Sequence, residues 1–202
     1  NFLNKLWNAN NFLIQNKCEF SSIQKPKKIE LNINKWLVSE YYQVNELIQK
    51  NIKEYRFDEA AKNAYQFVWH SFCDWYLELS KTILYADNKK DIEETRIVST
   101  FIFREILIIL HPFIPFVTEE IWLKNKLDKN SSDFLMFANW SVDKPIKDST
   151  TQDVNRIIEI VTSIRSFKNE IGVSPGSYIE LSIKNVSKEA HSFIKINKNI
   201  LK

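Results

Sequence analysis

With 202 residues, 44% of them hydrophobic and 13% aromatic, the chain is long and apolar enough to bury one core, which excludes an intrinsically disordered protein. It contains only two glycines, Gly172 and Gly176, which excludes a glycine-rich phosphate loop and argues against a self-contained nucleotide-using enzyme. The net charge of +3 is compatible with RNA binding and equally with an ordinary solvated surface.

Apolar residues at three- and four-residue steps predict a series of helices. The first covers about residues 1–16, and the second, after a loop, about 33–55. The third runs from about 57 to 85, and its apolar stripe places Trp69 and Trp75 in the core. Asp91 is the expected N-cap of a fourth helix that ends near residue 110. Two prolines, Pro112 and Pro115, then bend the chain into a fifth helix at about 116–125.

The remaining residues have a different pattern. Residues 134–140 are expected to be extended, and a sixth helix is predicted at about 152–171. Alternating polarity predicts a strand at 178–184, and a last helix follows from about 188. We therefore predict a mainly α protein: an antiparallel helical bundle in residues 1–150, with a small C-terminal α/β module in residues 151–202.

Cysteine use and hydropathy indicate a reducing, aqueous environment. Cys18 and Cys73 match no zinc-ligand spacing and fall in helical patterns, so we predict packed, reduced thiols and a cytosolic protein. The most apolar stretch, 101–117, is interrupted by charged residues and prolines and does not predict a membrane span. The chain starts at Asn1 in what reads as the middle of a helix, so we expect a fragment of a longer protein.

Four blocks of sequence are more specific than this periodicity. They read NFLNKLWNA at 1–9, YRFDEAA at 55–61, FVW and FCDWYLE between 67 and 78, and LHPFIPFVTEEIW at 110–122. In order and spacing they resemble the anticodon-binding domain of valyl-tRNA synthetases, which are class I aminoacyl-tRNA synthetases. The last block recurs in several related synthetases, whereas FCDWYLE favours the valine enzymes over the isoleucine, leucine and methionine enzymes.

The resemblance implies a class Ia anticodon-binding domain whose partner is tRNA-Val. It also implies a cytoplasmic, monomeric parent enzyme that attaches valine to this tRNA with ATP and Mg²⁺ and hydrolyses mischarged tRNA. The catalytic and editing domains of the same polypeptide would be further partners. The HIGH and KMSKS signatures that hold ATP do not occur in these 202 residues, so we expect no catalytic residue, cofactor or metal site in this chain.

Anticodon binding requires cations or amides for phosphates, and planar or amide side chains for unpaired bases. The first helix offers these residue types, and we predict that its exposed face meets the anticodon loop. A second candidate is a track of basic residues on the sixth helix. The predicted tRNA-binding residues are Lys5, Trp7, Asn8, Asn11 and Phe12 on the first helix, and Arg156, Arg165 and Lys168 on the sixth.

Simpler explanations exist for each of these residues. Trp7 and Phe12 can be core residues, while the asparagines and the basic residues can form solvated helix faces. His111, between a helix end and a proline bend, is interpreted as structural rather than as a base. Two alternatives for the whole chain stay open: the same domain of an isoleucyl- or leucyl-tRNA synthetase, and a helical protein-interaction scaffold without an RNA role.

Overall fold

The computed structural model describes residues 1–20, 23, 25–125, 134–140, 151–174 and 177. The chain divides into two compact units, Asn1–Thr151 and Gln152–Lys202. Within the described ranges the first unit is built from helices and turns and contains no strand. The described part of the second unit is mostly one helix.

The helices occur in the predicted order, so the mainly α class is confirmed for the described residues. Their bounds are α1 Phe2–Gln15, α2 Asn32–Lys53, α3 Phe57–Gln66, α4 Leu77–Leu84, α5 Lys89–Leu110, α6 Pro115–Asn125 and α7 Thr151–Glu170. A π-helical segment, Phe67–Tyr76, joins α3 to α4, and a 3-10 turn occupies Leu135–Phe137. The strand and last helix predicted after residue 177 lie outside the described residues.

The core of the first unit lies where α2 packs against α3, the π-helical segment and α5. Large side chains fill it, among them the fully buried Trp36, Tyr41 and Phe103. A polar cluster crosses this core: the Tyr76 hydroxyl donates to Asn34 Oδ1 over 3.0 Å and lies 2.9 Å from Ser99 Oγ. Because buried polar groups must be paired, this cluster helps to fix how α2, the π-helical segment and α5 align.

Three sequence-based expectations are wrong in detail. The N-cap of α5 is Asn88 rather than Asp91, because Asn88 Oδ1 accepts hydrogen bonds from the backbone N–H groups of Lys90 and Asp91, over 3.1 and 3.5 Å. Cys18 lies beyond the end of α1, although it is buried and free as predicted. The segment 134–140 contains a 3-10 turn where an extended chain was expected.

The π-helical segment explains why both tryptophans were wrongly assigned to the core. Its hydrogen bonds span five residues instead of four, so side chains five positions apart approach the same face. Trp69 and Asp74 accordingly face α1 together: Lys5 forms an ion pair with Asp74, and Lys5 Nζ lies 3.9 Å from the Trp69 ring centroid. Trp69 and Trp75 are half-buried. Reading the stripe with a constant α-helical period placed them at the centre of the packing.

The start of α2 is capped from another helix. Its N-cap residue, Leu31, provides no side-chain cap. Instead the Glu94 carboxylate of α5 accepts hydrogen bonds over 2.9 Å from the Glu30 N–H, the Leu31 N–H and Asn34 Nδ2. A negative charge at this position also interacts favourably with the helix dipole. Glu94 therefore joins the beginning of α2 to α5.

Replacing Glu94 with glutamine should test this capping contact. We expect Glu94→Gln to lower the free energy of unfolding by about 1–2 kcal/mol, since the side chain loses its charge and one acceptor oxygen. Urea denaturation measures the change. The exposed neighbour Glu93 is the matched control, and Glu93→Gln should change stability by less than about 0.5 kcal/mol. Equal losses in the two variants would contradict the capping role.

The buried cysteines predict a pH dependence of stability. Burial raises the pKa of Cys18 to about 11 and that of Cys73 to about 12, from 9.0. Unfolded thiols ionise near pH 9.0 and folded ones do not, so this stabilisation is present below that pH and is lost as the pH rises above it. We expect the urea midpoint to fall between about pH 8 and about pH 10.5 less steeply in Cys73→Ala than in the unmodified chain. Parallel falls would contradict this contribution.

Candidate RNA-binding surface

One side of α1 is buried and the other carries amides. Leu6, Ala9, Asn10 and Leu13 are the buried residues of this helix. On the opposite side, amide side chains recur at steps of four, three and four residues, which places them on one face. We call this row the amide stripe; it consists of Asn4, Asn8, Asn11 and Gln15, of which Asn11 is half-buried and the others are exposed. Each carboxamide offers both donors and an acceptor, as recognition of an unpaired base edge requires.

A cation beside an aromatic ring lies on each side of the amide stripe. On one side Lys124 Nζ of α6 is 4.7 Å from the Trp7 ring centroid. On the other, Lys81 Nζ of α4 is 5.8 Å from the Phe12 ring centroid. Both rings are half-buried, so each combines a packed face with an accessible edge. Such pairs can hold a phosphate and an unstacked base next to each other.

The helix that carries the stripe is held on two sides. Toward α6, Asn125 Nδ2 donates to the buried Asn10 Oδ1 over 2.5 Å. Toward the π-helical segment, Lys5 contacts Asp74 and Trp69 as described above. The Phe2 ring also packs against Tyr65 with a centroid separation of 4.9 Å. These contacts fix the rotation of α1, so the stripe is presented by a rigid element.

The structure brings together four of the five predicted residues of α1. Trp7, Asn8, Asn11 and Phe12 lie on or beside the amide stripe, and the core interpretation of Trp7 and Phe12 does not hold because both are half-buried. Lys5 differs from the prediction, since its ammonium group is engaged by the π-helical segment and does not extend from the exposed face.

Sequence reasoning missed four further residues of this surface. Asn4 and Gln15 continue the amide pattern at helical steps and could have been found from that spacing alone. Lys81 and Lys124 could not, because they are distant from α1 in sequence and only the packing of α4 and α6 brings them to it.

The basic residues of α7 do not form one track. Arg156 and Arg165 are nine residues apart, which is about two and a half helical turns and places them on opposite sides of the helix. Arg156 Nη1 lies 3.8 Å from Asp153 Oδ1. Lys168 Nζ donates to the Ser177 carbonyl oxygen over 2.5 Å. Arg165 and Lys168, three residues apart, are the pair that share neighbouring faces.

The remaining chemistry-bearing groups fit structural roles. His111 Nδ1 is 2.9 Å from Thr118 Oγ1, and Nε2 is 3.9 Å from Glu119 Oε2, so the imidazole bridges the bend between α5 and α6. Among the described residues no group of three or more His, Cys, Asp or Glu side chains could hold a metal ion. In the same part of the chain, no helix has the length and apolarity needed to cross a membrane.

A helical bundle that presents amides between cation–aromatic pairs has the character of an RNA-binding domain, and comparison with known proteins gives the family. Residues 34–183 match the family described as the anticodon-binding domain of tRNA ligase. The match covers most of the chain, and the chain belongs to this family. The helical scaffold without an RNA-related family is thereby set aside.

Individual relatives specify the amino acid. The chain is 59% identical over its full length to the valine–tRNA ligase of Pelagibacter ubique, and 35% identical over 94% of its length to that of Zymomonas mobilis. It is also 35% identical to the valine–tRNA ligase of Buchnera aphidicola. The resemblance to valyl-tRNA synthetases is thus confirmed. The chain spans 23%, 22% and 22% of the length of these three relatives, which is less than a quarter.

Lys5 and Asn8 provide a test of which α1 residues are structural. Lys5→Ala removes an ion pair and a cation–π contact, and we expect it to lower the free energy of unfolding by roughly 1 kcal/mol. Asn8→Ala lies on the exposed face and should change it by less than about 0.5 kcal/mol. Urea denaturation of the two variants measures both values. A stable Lys5→Ala variant would show that the contact with Asp74 and Trp69 does not hold α1.

Proposed function

We propose that this chain binds the anticodon loop of tRNA-Val through the amide stripe of α1 and is the non-catalytic, RNA-recognising part of a valine–tRNA ligase. The observation that carries the proposal is the row of Asn4, Asn8, Asn11 and Gln15 between two cation–aromatic pairs. Membership of the anticodon-binding family supports the class of ligand. The names of the relatives support the identity of the tRNA.

The two kinds of side chain divide the work of binding. Unpaired anticodon bases stack on the accessible edges of Trp7 and Phe12, and such stacking contributes about 1–3 kcal/mol per base in single-strand binders. The carboxamides of the stripe exchange hydrogen bonds with the edges of those bases. Lys81 and Lys124 neutralise neighbouring phosphates. Arg165 and Lys168 of α7 are a further, separate phosphate contact.

The full-length protein would perform the chemistry elsewhere in its sequence. We propose that it is a monomeric, cytoplasmic enzyme that attaches valine to tRNA-Val with ATP and Mg²⁺, and that its catalytic and editing domains are the intramolecular partners of this chain. The chain's share of its relatives, under a quarter, is consistent with one domain of such an enzyme. A bundle in residues 1–150 followed by a smaller appended module agrees with the two compact units.

Alanine substitutions in the stripe test the recognition role. The double variant Asn8→Ala/Asn11→Ala should bind transcribed tRNA-Val about tenfold more weakly, because each lost hydrogen bond contributes about 0.5–1.5 kcal/mol. Filter binding across a series of salt concentrations measures it. Since amides carry no charge, the slope of log affinity against log salt should stay the same.

Three controls sharpen this measurement. Lys124→Met should reduce the salt slope by about one phosphate contact, in contrast to the amide variant. Asn139→Ala removes an exposed amide outside α1 and should leave binding unchanged. Unchanged affinity of the double variant at fixed salt would sink the assignment of the stripe.

The choice of tRNA is tested with the unmodified chain. It should prefer tRNA-Val over tRNA-Ile and tRNA-Leu, and the preference should move with the anticodon when the anticodons of two tRNAs are exchanged. A preference for tRNA-Ile or tRNA-Leu would contradict the valine assignment, and the absence of any preference would contradict anticodon recognition.

A further inference from the structure

A second surface, formed by aromatic rings, lies at the start of α3. We call it the aromatic ridge; it consists of Tyr55, Phe57, Ala61 and Tyr65. The three ring-bearing residues are 82%, 53% and 42% exposed, respectively. Phe57, Ala61 and Tyr65 follow each other at four-residue steps, which places them along one face of α3. The Tyr55 ring meets Phe57 edge-on at 6.2 Å between centroids.

The ridge is continuous with packed aromatic residues of the first unit. Tyr65 lies 4.9 Å from the Phe2 ring and 5.6 Å from the Trp69 ring, both measured between centroids. Ala61, whose side chain ends at Cβ, separates Phe57 from Tyr65. Rings on both sides of a small residue form a recess that can accept a side chain from a facing helix. The ridge therefore has the shape of an uncovered helix-packing face.

The backbone at Tyr55 indicates that exposure of this ring is not a by-product of folding. Its φ of 58° lies in the left-handed region, which glycine or asparagine adopts more readily than an aromatic residue. The turn is closed by hydrogen bonds from Arg56 N–H to Asn51 O over 2.8 Å and from Tyr55 N–H to Ile52 O over 3.1 Å. The ring at this position is the most exposed of the ridge, and its packing within the chain does not account for it.

The charges around the ridge differ from those beside the amide stripe. Residues 53–62 contain three basic side chains, Lys53, Arg56 and Lys62, and three acidic ones, Glu54, Asp58 and Glu59. Lys62 Nζ lies 3.9 Å from Glu59 Oε1. A nucleic-acid backbone would meet as many carboxylates as cations here, so its binding gains little from electrostatics. An aromatic centre with a rim of both charge signs is typical of protein–protein interfaces.

We propose that the aromatic ridge is the docking surface of this domain for an apolar protein surface in the rest of the full-length polypeptide, with a side chain of that surface inserted above Ala61. The length of the relatives supports this occupant, because more than three quarters of such a protein lies outside this chain. The proposal uses the assignment to a longer ligase and is independent of which α1 residues contact tRNA.

Hydroxyl-radical footprinting of the full-length protein tests the docking. Tyr85, which is 70% exposed at the other end of α4, is the internal reference. In the absence of RNA, docking should make Tyr55 react at least about fivefold more slowly than Tyr85, because the centre of a packed interface excludes water. Similar reactivity of Tyr55 and Tyr85, or equal protection of both, would overturn the proposal.

Two full-length variants separate docking from other effects. Ala61→Glu places a carboxylate in the recess and should raise the reactivity of Tyr55 toward that of Tyr85, because an unpaired charge disfavours burial. Gln66→Glu adds the same charge at an exposed position off the ridge and should leave the protection intact. If circular dichroism shows that Ala61→Glu loses helix, Tyr55→Ser, read at Tyr65, replaces it. Continued protection of the ridge in the disrupting variant would overturn the proposal.

The same measurement distinguishes the other occupants. Protection that arises only when tRNA is added would show that RNA covers the ridge and would overturn the proposal. Protection that increases with protein concentration, together with a dimer in sedimentation velocity, would identify a second copy and overturn it as well. Weakened tRNA binding by the stripe variants, or its absence, changes neither result, so the failure of one proposal can be told from failure of the other.

Discussion

The position of α1 depends on one contact, in which Lys5 lies between the Asp74 carboxylate and the Trp69 ring. The π-helical segment makes this contact possible, because only a five-residue hydrogen-bonding step brings Trp69 and Asp74 to one face. With Lys5 fixed there, Leu6 and Leu13 point into the core and the amides point outward. Both surfaces described above follow from it, since Trp69 also supports Tyr65 of the aromatic ridge.

The two surfaces have opposite chemistry although they share α1 and its contacts. The amide stripe is polar and has a lysine on either side, Lys81 and Lys124. The aromatic ridge is apolar, and the charges that surround it cancel. A ligand dominated by phosphates gains from the first arrangement and not from the second. This contrast allows one small bundle to bind RNA at one face while it is fixed to a larger protein at another.

Periodicity predicted the helices well because each keeps an apolar stripe, and it predicted the exposed side of α1 for the same reason. It failed where local rules had more than one solution. Asn88 and Asp91 are both good N-caps, and the hydrogen bonds that Asn88 makes decide between them. The change of period in the π-helical segment has no signal in the apolar pattern. The lysines beside the stripe and the Glu94 cap of α2 arise from tertiary packing, which a single sequence does not display.

The uncharged character of the stripe bears on specificity. A surface made of cations alone would bind any RNA of suitable shape, since phosphates carry no sequence information. A hydrogen bond to an amide adds only about 0.5–1.5 kcal/mol when it is made, but a polar group left unpaired in the interface costs about 1–3 kcal/mol. Asn8 and its neighbours therefore discriminate mainly by the penalty that a wrong anticodon incurs. The chain's modest net charge of +3 suits this arrangement, because weak general attraction leaves that penalty decisive.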